Sequence, residues 1–282
     1  MEGRLVEWRN RELLRVSART LEAYAAELQR FAAWGGGVLS SPVELDRYLA
    51  ERKTNGLGAS GLGVAISALR SFFRFVGSTA AGALCMPRVK NRIQRTLSKA
   101  EALAVLSAID TSTVTGARDV ALIGLALASG LRASELCRLR VADVDLEKHL
   151  LTVVVKGGQM EFAVFDEAAA LLLATWLSVR PTVAASDVET IFVSLRGKPL
   201  TRHGLKMLCR RLGERAGVKP FSPHALRRSF AVLAEEFGCP SALLMDAGRW
   251  KDEKVMRSYR RAASLRTFER YSPLARLMMM NP

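Results

Sequence analysis

The sequence predicts a mostly α protein of two domains, the second carrying a small antiparallel β-hairpin, and three observations lead there. In the first third, Leu21, Tyr24, Leu28 and Phe31 recur at steps of three and four residues, as do Leu62, Ile66, Leu69, Phe73 and Val76. That spacing lines apolar side chains along one face of a helix, and no strand alternation interrupts it. The periodicity stops over 77–97, where Gly77, Gly82 and Pro87 accompany the basic series Arg88, Lys90, Arg92 and Arg95, a composition that breaks regular structure. Further on, apolar runs at 150–155 and 160–165 flank Lys156-Gly157-Gly158-Gln159, the pattern of a hairpin with Lys156 at its turn. The expected division is a helical domain over 1–80, a basic linker over 81–97 and a mixed α+β domain over 98–282.

Local signals set the elements of the second domain. Ser98 and Glu101 have the spacing of a capping box, so a helix starts there. A nearly apolar helix over 120–128 ends at Ser129-Gly130, and Ser134 is expected to cap a further short helix, which makes 130–135 a tight corner. After the hairpin, a short strand is expected over 191–194. Ser222-Pro223 reads as a cap followed by proline at the first helical position, which puts His224 and Arg227 on the opening turns of one helix. Asp252 is expected to cap a helix that presents Tyr259 two turns in.

Charge narrows the partners. The chain of 282 residues has 42 Lys and Arg against 27 Asp and Glu, a formal charge of +15. Residues 1–97 hold 15 basic and 8 acidic side chains, the rest 27 and 19, so the excess is 15 − 8 = +7 and 27 − 19 = +8. Both parts suit a polyanion such as nucleic acid better than an acidic small molecule, although a basic balance also serves solubility alone. Arg70 and Arg74, one turn apart, either follow a DNA backbone or are solvated, and the same alternatives hold for Arg88, Lys90 and Arg92. Cys85, Cys137, Cys209 and Cys239 lack any Cys-x-x-Cys spacing and read as reduced core residues rather than a zinc site. No apolar run approaches the roughly 20 residues of a membrane span, and the first residues lack a signal-peptide core, so a cytoplasmic protein is expected.

Six residues carry the chemistry by their order: Arg132, Lys156, His224, Arg227, Trp250 and Tyr259. The stretches are Ala128-Ser-Gly-Leu-Arg-Ala-Ser-Glu135, then His224-Ala-Leu-Arg227, then Gly248-Arg-Trp-Lys followed by Tyr259. This series resembles the tyrosine recombinases of the phage integrase type. That family has Thr-Gly-Leu-Arg-x-x-Glu-Leu, His-x-Leu-Arg, and Leu-Gly-His nine residues before its nucleophilic tyrosine. Trp250 stands nine residues before Tyr259, and His224 three before Arg227. The resemblance is strong over 98–261 and only generic over 1–80, where it implies a helical, SAM-like core-binding domain.

The resemblance implies DNA cleavage through a 3'-phosphotyrosyl bond to Tyr259, and the residue types suit that chemistry. Transfer of a phosphoryl group to a hydroxyl needs charge around its equatorial oxygens and proton handling at both apical ones. Arg132 and Arg227 can each offer a planar fork to the phosphate. Glu135, one turn on, either orients an active-site group or merely favours the helix start. Lys156 can protonate the departing 5'-oxygen, or it solvates a turn. His224 is the candidate to accept the tyrosine proton or hold the phosphate, whereas His149 and His203 read as surface or capping residues. Trp250 departs from the family's usual histidine. Its N–H can donate to a phosphate oxygen but cannot act as acid or base, and a plain core tryptophan is the alternative. The hairpin departs too, with Gln159-Met160-Glu161 where further basic residues are usual, which puts its DNA contacts in question.

The implied enzyme is a site-specific recombinase acting on double-stranded DNA at a specific site, as four protomers on two duplexes. It needs no metal, ATP or other cofactor, because the tyrosyl ester keeps the energy of the broken bond. The apolar set Leu265, Phe268, Leu274 and Leu277 of the tail is expected either to dock into a neighbouring protomer or to pack on its own domain. Three alternatives stand beside this reading: a monomeric type IB topoisomerase-like enzyme, a catalytically idle DNA-binding regulator, and a helical scaffold without nucleic acid. Tyr271 is the rival nucleophile, twelve residues too late for the family spacing.

Overall fold

A computed structural model describes residues 2–87, 95–155 and 158–250. The chain divides into two compact units, 1–91 and 92–282.

The first unit is built from four helices: α1 (Glu2–Leu13), α2 (Ala18–Ala33), α3 (Pro42–Thr54) and α4 (Ala59–Phe75), followed by one 3-10 turn, Ala80–Ala83. Side chains start two of them. The Ser17 hydroxyl accepts from the Thr20 amide, and Ser41 forms a full capping box with Glu44 ahead of Pro42. The faces so oriented bury Leu28, Phe31, Tyr48, Leu69, Phe72 and Phe73 around Trp8, and each large side chain taken from water contributes roughly 1.5–3 kcal/mol. Leu21, Leu62 and Ile66 of the expected apolar faces are buried as well. One carboxylate lies among them. Glu27 accepts from the Tyr48 hydroxyl at 2.8 Å and from both Nε and Nη2 of Arg52 at 3.0 Å. Burial pushes its pKa up, but the hydrogen bonds of Arg52 and Tyr48 outweigh burial and hold it below the usual carboxylate value.

Ala81 and Leu84 belong to the first core and Leu97 to the second, because apolar residues at the ends of a connector gain by burial. Arg88, Lys90 and Arg92 lie outside the described residues.

The second unit begins at α5 (Lys99–Ser107), whose Ser98–Glu101 capping box is present. Arg95 adds two bonds to Glu101, at 3.1 and 2.7 Å. Those bonds bring the Glu101 pKa down to about 2. The apolar helix α6 (Val114–Ser129) starts six residues earlier than its apolar run, capped by Thr113, and packs against α8 (Glu167–Val179) and α10 (Pro223–Glu236). Between α6 and α8 come α7 (Ala133–Arg138) and three antiparallel strands, β1 (Val144–Asp145), β2 (Leu150–Val154) and β3 (Met160–Val164), in the order β1-β2-β3. The expected hairpin is there, with Leu150 opposite Val164 and Val154 opposite Met160. After α8 follow α9 (Arg202–Arg215), α10 and α11 (Ser241–Gly248).

Three expectations need correction. Residues 191–194 form no strand; only isolated bridges join Arg140 to Thr190 and Val193 to Pro199. Side chains take the carbonyls that a ladder would use: Trp176 Nε1 donates to Ile191 O at 3.0 Å, and Arg180 Nη2 to Thr190 O at 2.7 Å. Ser134 does not cap α7. Arg132 holds that position, its amide donating to the Glu135 carboxylate at 2.8 Å. Of the four thiols, Cys137 and Cys209 are buried and free, but Cys85 is exposed and Cys239 half-buried, since both follow helix or turn ends rather than occupying a packed face. Among the described residues, no helix is long and apolar enough to cross a membrane.

Candidate functional site

The site is assembled from three chain segments of the second unit. The first is the corner between α6 and α7. Gly130 closes α6 in a left-handed conformation, φ 59°, and a Cβ there would collide with the Phe230 ring, so glycine alone fits both the backbone and the packing. The turn leaves Arg132 at the head of α7, its side chain 44% exposed and paired with Glu135 at 2.7 Å. Glu135 itself is buried. Burial pushes its pKa up, yet the backbone and side-chain bonds of Arg132 and the charge of Arg249 keep it below the ordinary carboxylate value.

The second segment is the start of α10. Ser222 caps it, accepting from the Ala225 amide, with Pro223 in the first turn as expected. Arg227 is buried and donates to Gly130 O and, at 2.6 Å, to Gly248 O. It thereby joins the α6–α7 corner to the end of α11. His224 is exposed one turn earlier. Partial desolvation, then the charges of Arg228 and Arg227, hold its pKa below the ordinary 6.5.

The third segment follows α11. Trp250 is buried with Phe230, Ala231 and Leu244, its ring tilted against Phe230 at 6.2 Å between centroids. The Arg227 guanidinium carbon lies 4.8 Å from the Trp250 ring centroid, within reach of a cation–π interaction. Gly248 makes room for that ring, since a Cβ there would overlap it. Trp250 is thus both a small core and a support for Arg227.

One open concavity is lined by Arg132, Ser134, Arg202, Lys206, Ser222, His224, Arg227 and Trp250. The structure brings together four of the six expected catalytic residues: Arg132, His224, Arg227 and Trp250. Lys156 and Tyr259 lie outside the described residues, as do Asp252 and the tail. Arg70 and Arg74 line a separate concavity of the first unit with Arg11, Arg15 and Tyr24, and Arg70 also donates to Leu84 O.

Sequence reasoning missed Arg202, Lys206 and Arg249. The first two sit on the first turns of α9, and only the fold carries them to this wall. Arg249 had a signal: the Leu-Gly-His pattern places glycine just before the position of Trp250, and arginine stands there instead. A concavity with four cations and, among the described residues, no lining carboxylate can hold a phosphodiester and spread charge over its oxygens.

Residues 95–266 match the phage integrase family, and residues 11–78 match the phage integrase N-terminal SAM-like domain. The Tyrosine recombinase XerC of Xylella fastidiosa (strain 9a5c) is 31% identical over 229 residues, covering 77% of this chain and 76% of that protein. Among solved structures, XerH site-specific recombinase bound to palindromic difH substrate in a post-cleavage complex aligns at a TM-score of 0.75 and 21% identity, over 90% of this chain and 80% of that one. A lambda integrase tetramer bound to a Holliday junction aligns at 0.72 and 18%, over 93% and 77%. At those identities the two structures show the shared fold. Family match, identity over three quarters of the XerC chain and fold agree: the chain belongs to the phage integrase family.

Proposed function

We infer that this chain is a site-specific DNA recombinase that cuts and rejoins strands through Tyr259, and one observation supports this above others. Arg132, His224, Arg227 and Trp250, from three separate segments, line the concavity of the second unit, and this cationic company suits a phosphodiester undergoing attack. The tyrosyl oxygen of Tyr259 attacks the scissile phosphorus and its proton passes to His224, which is neutral at pH 7 because its pKa is lowered. Arg132 and Arg227 hold the equatorial oxygens as charge builds. The bond from phosphorus to the 5'-oxygen breaks, and Lys156 protonates that oxygen. A 3'-phosphotyrosyl ester and a free 5'-hydroxyl result. Attack by the 5'-hydroxyl of a second strand reverses each step and completes exchange, with one phosphodiester made for one broken.

The helical domain over 1–80, with Arg70 and Arg74, and the linker with Arg88, Lys90 and Arg92 then serve the duplex backbone. The tail beyond Tyr259 joins protomers into a tetramer on two sites, and the protein acts in the cytoplasm. The test is a supercoiled plasmid carrying two copies of a site recovered from protein-bound fragments of the source organism's own DNA. Deletion or inversion between the copies supports the reading. Relaxation without exchange replaces it with a topoisomerase.

A further inference from the structure

Arg249 takes no part in the reaction as written, yet both its backbone and its side chain are tightly held. It closes α11 in the left-handed region, φ 54° and ψ 46°, with its amide bonded to Asp246 O at 3.0 Å. Few residues other than glycine and asparagine settle there. Its side chain is only 5% exposed and crosses to α7, where Nη2 meets Glu135 Oε2 at 3.1 Å, Glu135 being 3% exposed. Its Nε lies 4.0 Å from Glu161 of β3 and donates to no acceptor among the described residues. One buried guanidinium therefore touches the corner that bears Arg132, the hairpin that bears Lys156 and the chain that leads to Tyr259.

The charge count gives this contact a purpose. Glu135 binds both the amide and Nη1 of Arg132. A lone Arg132–Glu135 pair is neutral and would offer the phosphate little net attraction. With Arg249 the buried carboxylate has a second cation, and the cluster keeps one positive charge at its open end, which is Arg132. Glu161 is 29% exposed and more distant, so water screens it. We propose that Arg249 is a positioning residue: it balances Glu135, so that Arg132 meets the scissile phosphate with its charge uncompensated and its guanidinium fixed. This rests on the recombinase reading above.

The discriminating variant is Arg249→Gly, which suits the left-handed backbone while deleting the side chain. Cleavage is read as the rate of SDS-resistant adduct formation on a nicked duplex carrying the recovered site, and affinity as the Kd for the same duplex. The expected result is a cleavage rate about 10- to 100-fold lower, the usual cost of losing a partner that orients a reacting group, with Kd unchanged. In a Glu135→Gln background, Arg249→Gly should lower the rate no further, because its effect passes through that carboxylate. This second comparison also stands if the single variant fails to fold, since the double variant carries neither buried charge. An unchanged rate in Arg249→Gly overturns the proposal. So does an equal loss in the Glu135→Gln background, which would make Arg249 a direct DNA ligand. Absence of adduct with the unaltered chain strikes at the recombinase reading itself.

Discussion

At the scale of single residues, the site depends on a few positions where no other side chain fits. Gly130 combines a positive φ, a Phe230 ring against its Cα and a carbonyl that receives Arg227. Gly130→Ala should destabilise the second unit by about 1–3 kcal/mol, from backbone strain and overpacking together. It should also slow cleavage at temperatures where the fold persists, because the displaced carbonyl moves Arg227; thermal melts and adduct rates check both. His224 gives a pH prediction. Its folded pKa lies below 6.5, so the neutral, proton-accepting form persists as pH falls through 6.5 and is lost only at lower pH. The cleavage rate should be half lost only at a pH below 6.5, and that titration should vanish, along with most activity, in His224→Gln. A rate already halved above pH 7 would count against His224 as the base.

At the scale of elements, the buried Glu27 carboxylate adds a polar tie to the apolar faces that hold the first unit. Glu27 ties α2 to α3 through Tyr48 and Arg52. Glu27→Gln should cost about 2–4 kcal/mol, since removing one partner of a buried pair strands the other; Arg52 is one-quarter exposed, which limits the loss. The Glu27 pKa is lowered on folding, so the stability it gives is present above the unfolded value and disappears as pH falls through the folded one. Chemical denaturation from neutral to acid pH should show that slope weakened in the variant. What could be read in advance follows the same division of scale. The capping box at Ser98–Glu101, the Ser222 cap followed by Pro223, the glycine that ends α6 and the presence of the hairpin are set within a few residues, and all were legible. The irregular 191–194 segment depends on side chains 10 and 15 residues away, and the walls contributed by Arg202 and Lys206 and the reach of Arg249 to Glu135 depend on contacts across many tens of residues. Periodicity does not encode those. Ser134 failed as a cap because Glu135 could reach the Arg132 amide instead.

At the scale of the whole molecule, an excess of +15 shared by both parts predicts binding that releases counterions along a duplex. If a protomer neutralises about six to ten phosphates, affinity should fall by roughly 10³ to 10⁵ between 50 and 200 mM salt. Titration of a labelled duplex at several salt concentrations gives the slope, and a flat line would contradict a phosphate-tracking surface. The family match spans both parts of the chain, and four of the six residues singled out by the resemblance, Arg132, His224, Arg227 and Trp250, line one concavity. The central claim is that Tyr259 becomes covalently joined to DNA. The most direct measurement incubates the protein in EDTA with nicked duplexes tiled from the DNA beside its own gene and looks for an SDS-resistant adduct, alongside Tyr259→Phe and Tyr271→Phe. The account predicts an adduct that survives Tyr271→Phe and is lost in Tyr259→Phe; an adduct that persists in Tyr259→Phe and disappears in Tyr271→Phe would contradict it.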